Sequence, residues 1–121
     1  MKTLLIVDDE YFMRRLVQFG LSRIGARILL ANNGRDALKV IAAEPVDLLI
    51  IDVNMPELDG FETVAELRKD PRHAGLPVIM MTAGGLAEAR TKAAALGVAA
   101  FFTKPFGPAL LAEQAKALLG L

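Results

Sequence analysis

The chain has 121 residues, 54% of them apolar, with fourteen basic and fourteen acidic side chains and no cysteine. That length fits one compact domain with a core of its own. The even charge excludes a strongly basic nucleic-acid surface and an acidic tail, and the lack of cysteine excludes disulfides, thiol catalysis and zinc–thiolate sites.

The first apolar run, residues 4–7, stops at Asp8 and Asp9 and is too short for a signal peptide. No run approaches the roughly 20 apolar residues of a membrane span. The expectation is a soluble, cytoplasmic protein with neither membrane nor direct nucleic-acid partners. In chain order, strands are predicted over residues 3–7, 27–31, 46–51, 77–81 and 99–103. Their Leu, Ile, Val and Phe are nearly continuous, as in strands buried on both faces of a parallel sheet. Helices alternate with them. The first is predicted over 11–24, with Met13, Val17, Leu21 and Ile24 on one face and Gly25 as its stop. The second follows Asn33-Gly34 and ends before Pro45; the third follows Asp59-Gly60 and ends near Asp70-Pro71. The fourth covers about 86–96 and the fifth about 108–119.

Strict β-α alternation across residues 1–121 predicts a single doubly wound α/β domain, a five-stranded parallel sheet with helices on both faces. Such sheets carry their functional crevice at the C-terminal strand ends, where the strand order reverses. Those ends hold Asp8-Asp9-Glu10, Asp52, Thr82 and Lys104-Pro105. If strands 1 and 3 are neighbours, three aspartates converge, and carboxylates that close repel unless a cation intervenes. Magnesium suits the site, because it binds through one or two carboxylates and leaves room for a phosphate oxygen. An aspartate can accept a phosphoryl group, and magnesium, the Lys104 ammonium and the Thr82 hydroxyl could each hold one of its oxygens. The sole histidine, His73, lies in a loop near Pro71, at the opposite edge of the sheet.

Four segments together carry a resemblance: Val7-Asp8-Asp9-Glu10; Asp52-Val53-Asn54-Met55-Pro56 with Asp59-Gly60; Met81-Thr82-Ala83; and Phe101-Phe102-Thr103-Lys104-Pro105-Phe106. In this order, each at a strand end, they resemble the response-regulator receiver domains of two-component signalling, closest in size to the single-domain chemotaxis type. The resemblance implies a flavodoxin-like sheet of order 2-1-3-4-5 and a phosphoprotein in which Asp52 is phosphorylated by a sensor histidine kinase or a histidine phosphotransfer protein. It further implies Mg2+ bound by Asp9, Asp52 and the backbone carbonyl of Asn54, with Asp8 helping through water. Thr82 and Lys104 would contact the phosphoryl group, Thr82 and Phe101 would form the switch, and the Lys104–Pro105 bond would be cis. Receivers dock their phosphodonor near the first helix, which makes Phe12, Phe19 and Pro105 candidate docking residues. Leu16 is expected to pack on the last helix.

Simpler readings stand beside these. Asp8 or Asp9 could cap the first helix, Phe101 could be core, and Lys104 alone could be a solvated lysine. A pseudo-receiver interaction module is one alternative function. An aspartyl-nucleophile phosphatase is another, but such enzymes place two aspartates two residues apart at the end of the first strand, whereas Asn54 follows Asp52 here. The cognate kinase, the downstream target and the question of a stand-alone or longer protein are left open.

Overall fold

A computed structural model describes residues 1–84, 87–104 and 106–121. Five parallel strands form one sheet: β1 (Thr3–Val7), β2 (Arg27–Ala31), β3 (Leu48–Asp52), β4 (Val78–Thr82) and β5 (Ala100–Thr103), in the order β2-β1-β3-β4-β5. Helices α1 (Tyr11–Gly20), α2 (Gly34–Ala43), α3 (Gly60–Arg68), α4 (Ala87–Ala95) and α5 (Pro108–Leu119) connect and flank them. The expected doubly wound fold is therefore present.

The three inner strands β1, β3 and β4 are buried along their whole lengths, whereas β2 and β5 are only partly buried. This follows from position, since an edge strand has one neighbour instead of two. Alternation along each strand divides the core. Leu5, Val7, Leu49, Ile51, Val78 and Met80 face α2, α3 and α4, in a cluster with Ile41, Leu67 and Ala93. Leu4, Ile6, Leu48, Ile50, Ile79 and Met81 face α1 and α5, with Val17, Leu21, Leu111 and Ala115. Met13 and Ile24 pack against this second cluster, completing the face predicted for the first helix.

Several boundaries differ from expectation for local reasons. The first helix ends at Gly20 rather than at residue 24. Beyond it, the Ser22 hydroxyl donates to the Phe19 carbonyl at 2.7 Å and the Ser22 and Ile24 N–H groups close tight turns onto Phe19 and Leu21, and Gly25 follows with φ +83°. Strand β3 starts two residues later than predicted and runs through Asp52, while β4 runs through Thr82. Leu86, the expected start of the fourth helix, lies outside the described residues.

At the N-terminal rim the Arg68 guanidinium donates to the carbonyls of Leu96, His73 and Leu76, each at 2.9 Å. One side chain thus ties the end of α3 to the turn before β4 and to the segment that follows α4. His73 belongs to this rim, in the 3-10 turn Pro71–His73.

Helix α3 opens on a capping box, in which the Asp59 carboxylate accepts the Glu62 N–H and the Glu62 carboxylate accepts the Asp59 N–H. At its first residue the Gly60 N–H donates to the Val53 carbonyl at 3.0 Å. A Cβ on Gly60 would stand 2.5 Å from the Asp52 carbonyl oxygen and 2.9 Å from the Val53 Cα. Both are backbone atoms, so nothing flexible can yield. Gly60→Ala should destabilise the fold by about 2 kcal/mol or more, measured by urea denaturation; an unchanged midpoint would contradict this packing.

Candidate functional site

Strand register gathers the polar strand ends. Val7 pairs with Ile51, Asp52 with Met81, and Thr82 with Thr103. The ladder continues past the strands, because the Val53 N–H donates to Met81 and the Lys104 N–H to Thr82. Asp8, Asp52 and Lys104 fall on the alternation that faces α1 and α5, and their side chains meet. The Lys104 Nζ stands 3.3 Å from Asp8 Oδ2, to which it donates a hydrogen bond, and 3.3 Å from Asp52 Oδ1, with which it forms an ion pair. Asp8 is 0% exposed and Asp52 1%.

Each carboxylate is placed differently. Asp8 Oδ1 accepts the Glu10 N–H at 2.9 Å, a local turn bond that fixes the loop after β1. Neither Asp8 nor Asp9 caps the first helix: Glu10 is its N-cap, without a side-chain bond. Asp9 is exposed. The Arg14 guanidinium donates to the Asp8 carbonyl at 2.7 Å and braces the loop from within α1. Asp52 Oδ1 is buried without a hydrogen-bond donor among the described residues.

Oxygen atoms of Asp8, Asp9 and Asp52 lie within 4.8 Å of one another. Among the described residues one close ammonium, that of Lys104, stands against these three carboxylates, so negative charge is in excess. Burial and the charge of Asp8 push the Asp52 carboxyl up from 3.8 to about 6, even though Lys104 pulls it down. Burial opposes the charge of Lys104, but Asp8 and then Asp52 outweigh it and raise its pKa. A divalent cation fits what is missing here. The donor set is all oxygen, as a hard ion requires; Asp9 is open to solvent, and Asp52 has an oxygen with no hydrogen-bond donor.

Thr82 is also buried at the rim, but its alternation points to the other face of the sheet. Its hydroxyl lies 3.1 Å from Asn54 Oδ1. The Asn54 side chain was not among the expected contacts, which involved only its backbone carbonyl. A polar residue two positions after the strand-end Asp52 is the available signal, but nothing in the sequence pairs it with Thr82. Phe101 is half-buried, packed on the α2–α3–α4 side, with the Arg90 guanidinium 5.3 Å from its ring centre. Phe12 and Phe19 lie on the outer face of α1, 76% and 80% exposed. Leu16, expected to be covered by the last helix, is half exposed between them. It borders a cleft of about 90 Å³ between α1 and α5, with Met13, Phe106, Pro108 and Lys104 among its walls. Pro105 lies outside the described residues, and with it the Lys104–Pro105 peptide bond.

A parallel α/β sheet with an acidic cluster and a lysine at its switch-point rim defines a protein class with a site suited to a hard cation and an anionic group beside it. The family model for the response regulator receiver domain matches residues 4–116, and the chain belongs to that family. Chemotaxis protein CheY1 of Helicobacter pylori is 42% identical over 97% of this chain and 96% of its own length. A probable transcriptional regulator of Cyanophora paradoxa, ycf27, is 38% identical over 98% of this chain but 48% of its own length. The chain thus spans about half of such longer relatives. Among solved structures, chemotaxis protein CheY4 of Vibrio cholerae superposes with a TM-score of 0.91 at 32% identity, covering 98% of this chain and 99% of that one. Receivers are phospho-accepting switches of two-component signalling, served by histidine kinases or phosphotransfer proteins, and they generally bind Mg2+. No helix among the described residues is long and apolar enough to cross a membrane.

The raised Asp52 pKa has a definite sign for stability. Between about pH 4 and pH 6 the folded chain keeps a proton that the unfolded chain releases, so this contribution is present at low pH and is lost as pH rises through 6. A change of that size corresponds to about 3 kcal/mol. Without metal, Asp52→Asn should be more stable than the natural protein at pH 8 by about 2 kcal/mol, with a smaller difference at pH 5. Urea denaturation in chelator at both pH values measures it. A variant less stable at pH 8 would contradict the electrostatic account.

Proposed function

We propose that Asp52 is the phosphorylated residue and that the chain is a switch charged from a phosphohistidine. The observation carrying this is the buried Asp52 Oδ1, which accepts no hydrogen bond among the described residues and stands 3.3 Å from the Lys104 ammonium. An Asp52 oxygen attacks phosphorus, the phosphorus–nitrogen bond breaks, and its electron pair leaves with the imidazole nitrogen. The product is an acyl phosphate. Lys104 already touches both Asp8 and Asp52 and is placed to hold a phosphoryl oxygen as charge moves onto that group.

Asp9, Asp52 and the Asn54 backbone carbonyl would hold Mg2+, with Asp8 acting through water. When bound, the ion supplies charge neutralisation to the carboxylates and the phosphoryl oxygens. Asp8 suits the indirect role, since Oδ1 and Oδ2 already accept from Glu10 and Lys104. Thr82 would move to a phosphoryl oxygen and Phe101 would turn inward, changing the surface formed by α4, β5 and α5. A differential stabilisation of a few kcal/mol suffices to reverse such a balance. Attack of water on the acyl phosphate resets the switch, a self-catalysed step rather than turnover of a substrate. The similarity to the Helicobacter pylori chemotaxis protein over nearly both full lengths supports the reading as a receiver.

Acetyl phosphate with Mg2+ should add one phosphoryl group to the natural protein and none to Asp52→Asn, read by intact-mass spectrometry. Modification of Asp52→Asn to the same extent would remove Asp52 from the role.

The exposed aromatic stripe of α1 is proposed as the donor's docking surface, with Phe12 and Phe19 as anchors. It adjoins the cleft that reaches Lys104, so a donor seated there lies beside the acceptor. Pro105 remains a candidate on sequence position alone. Phe12→Ala and Phe19→Ala should each slow transfer from a phosphohistidine protein about tenfold or more while sparing transfer from acetyl phosphate. Equal slowing with both donors would refute docking.

A further inference from the structure

The Thr82 hydroxyl is committed on both sides. The Ala83 N–H donates to Asn54 Oδ1 at 3.2 Å, so the amide must present its oxygen there and not its NH2 group. That same oxygen is 3.1 Å from Thr82 Oγ1. The Gly84 N–H in turn donates to Thr82 Oγ1 at 3.3 Å. A hydroxyl carries a single proton. With a donor on one side and an acceptor on the other, that proton points at Asn54.

We infer that the Asn54 side chain is a latch, a positioning residue that holds the Thr82 hydroxyl in its unphosphorylated arrangement. The inference rests on the reading of Thr82 as a phosphoryl contact. To donate to an oxygen on phosphorylated Asp52, Thr82 must withdraw its proton from Asn54, and the phosphoryl group must outbid the amide. The geometry that arranges this is simple. Asp52 pairs with Met81 across β3 and β4, so Asn54, just beyond the end of β3, meets Thr82 at the end of β4 and Ala83 after it. Asn54 accepts from both the Thr82 hydroxyl and the Ala83 N–H, so the loop that follows the acceptor aspartate restrains the end of β4 and the start of the loop after it. Asn54 therefore has two separable parts. Its backbone carbonyl is a proposed metal ligand, and its side chain sets the threshold for switching.

The two parts separate by mutation, because Asn54 is exposed and Asn54→Ala keeps the backbone carbonyl. The test is titration with beryllofluoride, a phosphoryl mimic, at saturating Mg2+, followed by 19F NMR. The four proteins are the natural chain, Asn54→Ala, Thr82→Ala and the double variant; Mg2+ affinity is measured in each. Thr82→Ala should bind the mimic more weakly than the natural protein. Asn54→Ala should bind it about three- to tenfold more tightly, the range of one neutral hydrogen bond, and adding Asn54→Ala to Thr82→Ala should change nothing. Unchanged or weaker binding by Asn54→Ala overturns the latch. A gain of equal size in both backgrounds also overturns it, because the side chain would then act on the ion or on access to the site. Thr82→Ala binding like the natural protein would refute the phosphoryl contact of Thr82 itself, a separate failure.

Discussion

One buried arrangement of charge governs the functional end of this molecule: a single ammonium, that of Lys104, shared by the carboxylates of Asp8 and Asp52. Removing charges from water is costly, and a group of this kind persists only where geometry supplies compensation. The compensation comes from three places in the chain that are far apart in sequence. The loop after β1 supplies Asp8, the last residue of β3 supplies Asp52, and the residue after β5 supplies Lys104. In the strand order β2-β1-β3-β4-β5 a lysine beyond the edge strand reaches carboxylates near the centre. Sheet topology and site electrostatics are thus one constraint seen twice.

Much of this was legible in the sequence, and the reason is physical. Parallel strands buried on both faces must be nearly continuous in apolar residues, so a polar residue marks where a strand leaves the core. Asp8, Asp52, Thr82 and Lys104 all stand at such breaks, and the structure places all four at one rim. Strand alternation even separates Thr82 from the other three, which follows from counting residues once the strand limits are known. What was hidden depended on side-chain geometry. The pairing of Asn54 with Thr82 requires the relative height of two loops, which periodicity does not encode. The brace from Arg14 to the Asp8 carbonyl is similar, since an arginine on a helix commonly meets solvent. Glu57, with φ +66° in the loop between Asn54 and Asp59, carries no glycine or asparagine to announce its conformation. The early end of the first helix was missed because the apolar period continues to Ile24 although the backbone has already turned.

The two faces of the sheet are unequally filled. On the α1 and α5 side, long aliphatic side chains interlock with the strands, and Phe102 and Phe106 pack with ring centres 5.8 Å apart. On the other side, α2 and α3 supply Ile41, Val64 and Leu67, but α4 buries only Ala93 among its described residues. An alanine removes little surface from water and makes few contacts. Helix α4 therefore buries less apolar surface against the sheet than α2 or α3, and in the chain it follows the strand that ends in Thr82.

The Arg68 guanidinium gives that weak packing a direction. It grips the carbonyl of Leu96, just past the C-terminal end of α4, together with two carbonyls of the turn before β4. A helix held at one end pivots there. If the proposed switching displaces the chain beside Thr82, α4 would tilt about the Arg68 contact at Leu96 rather than translate.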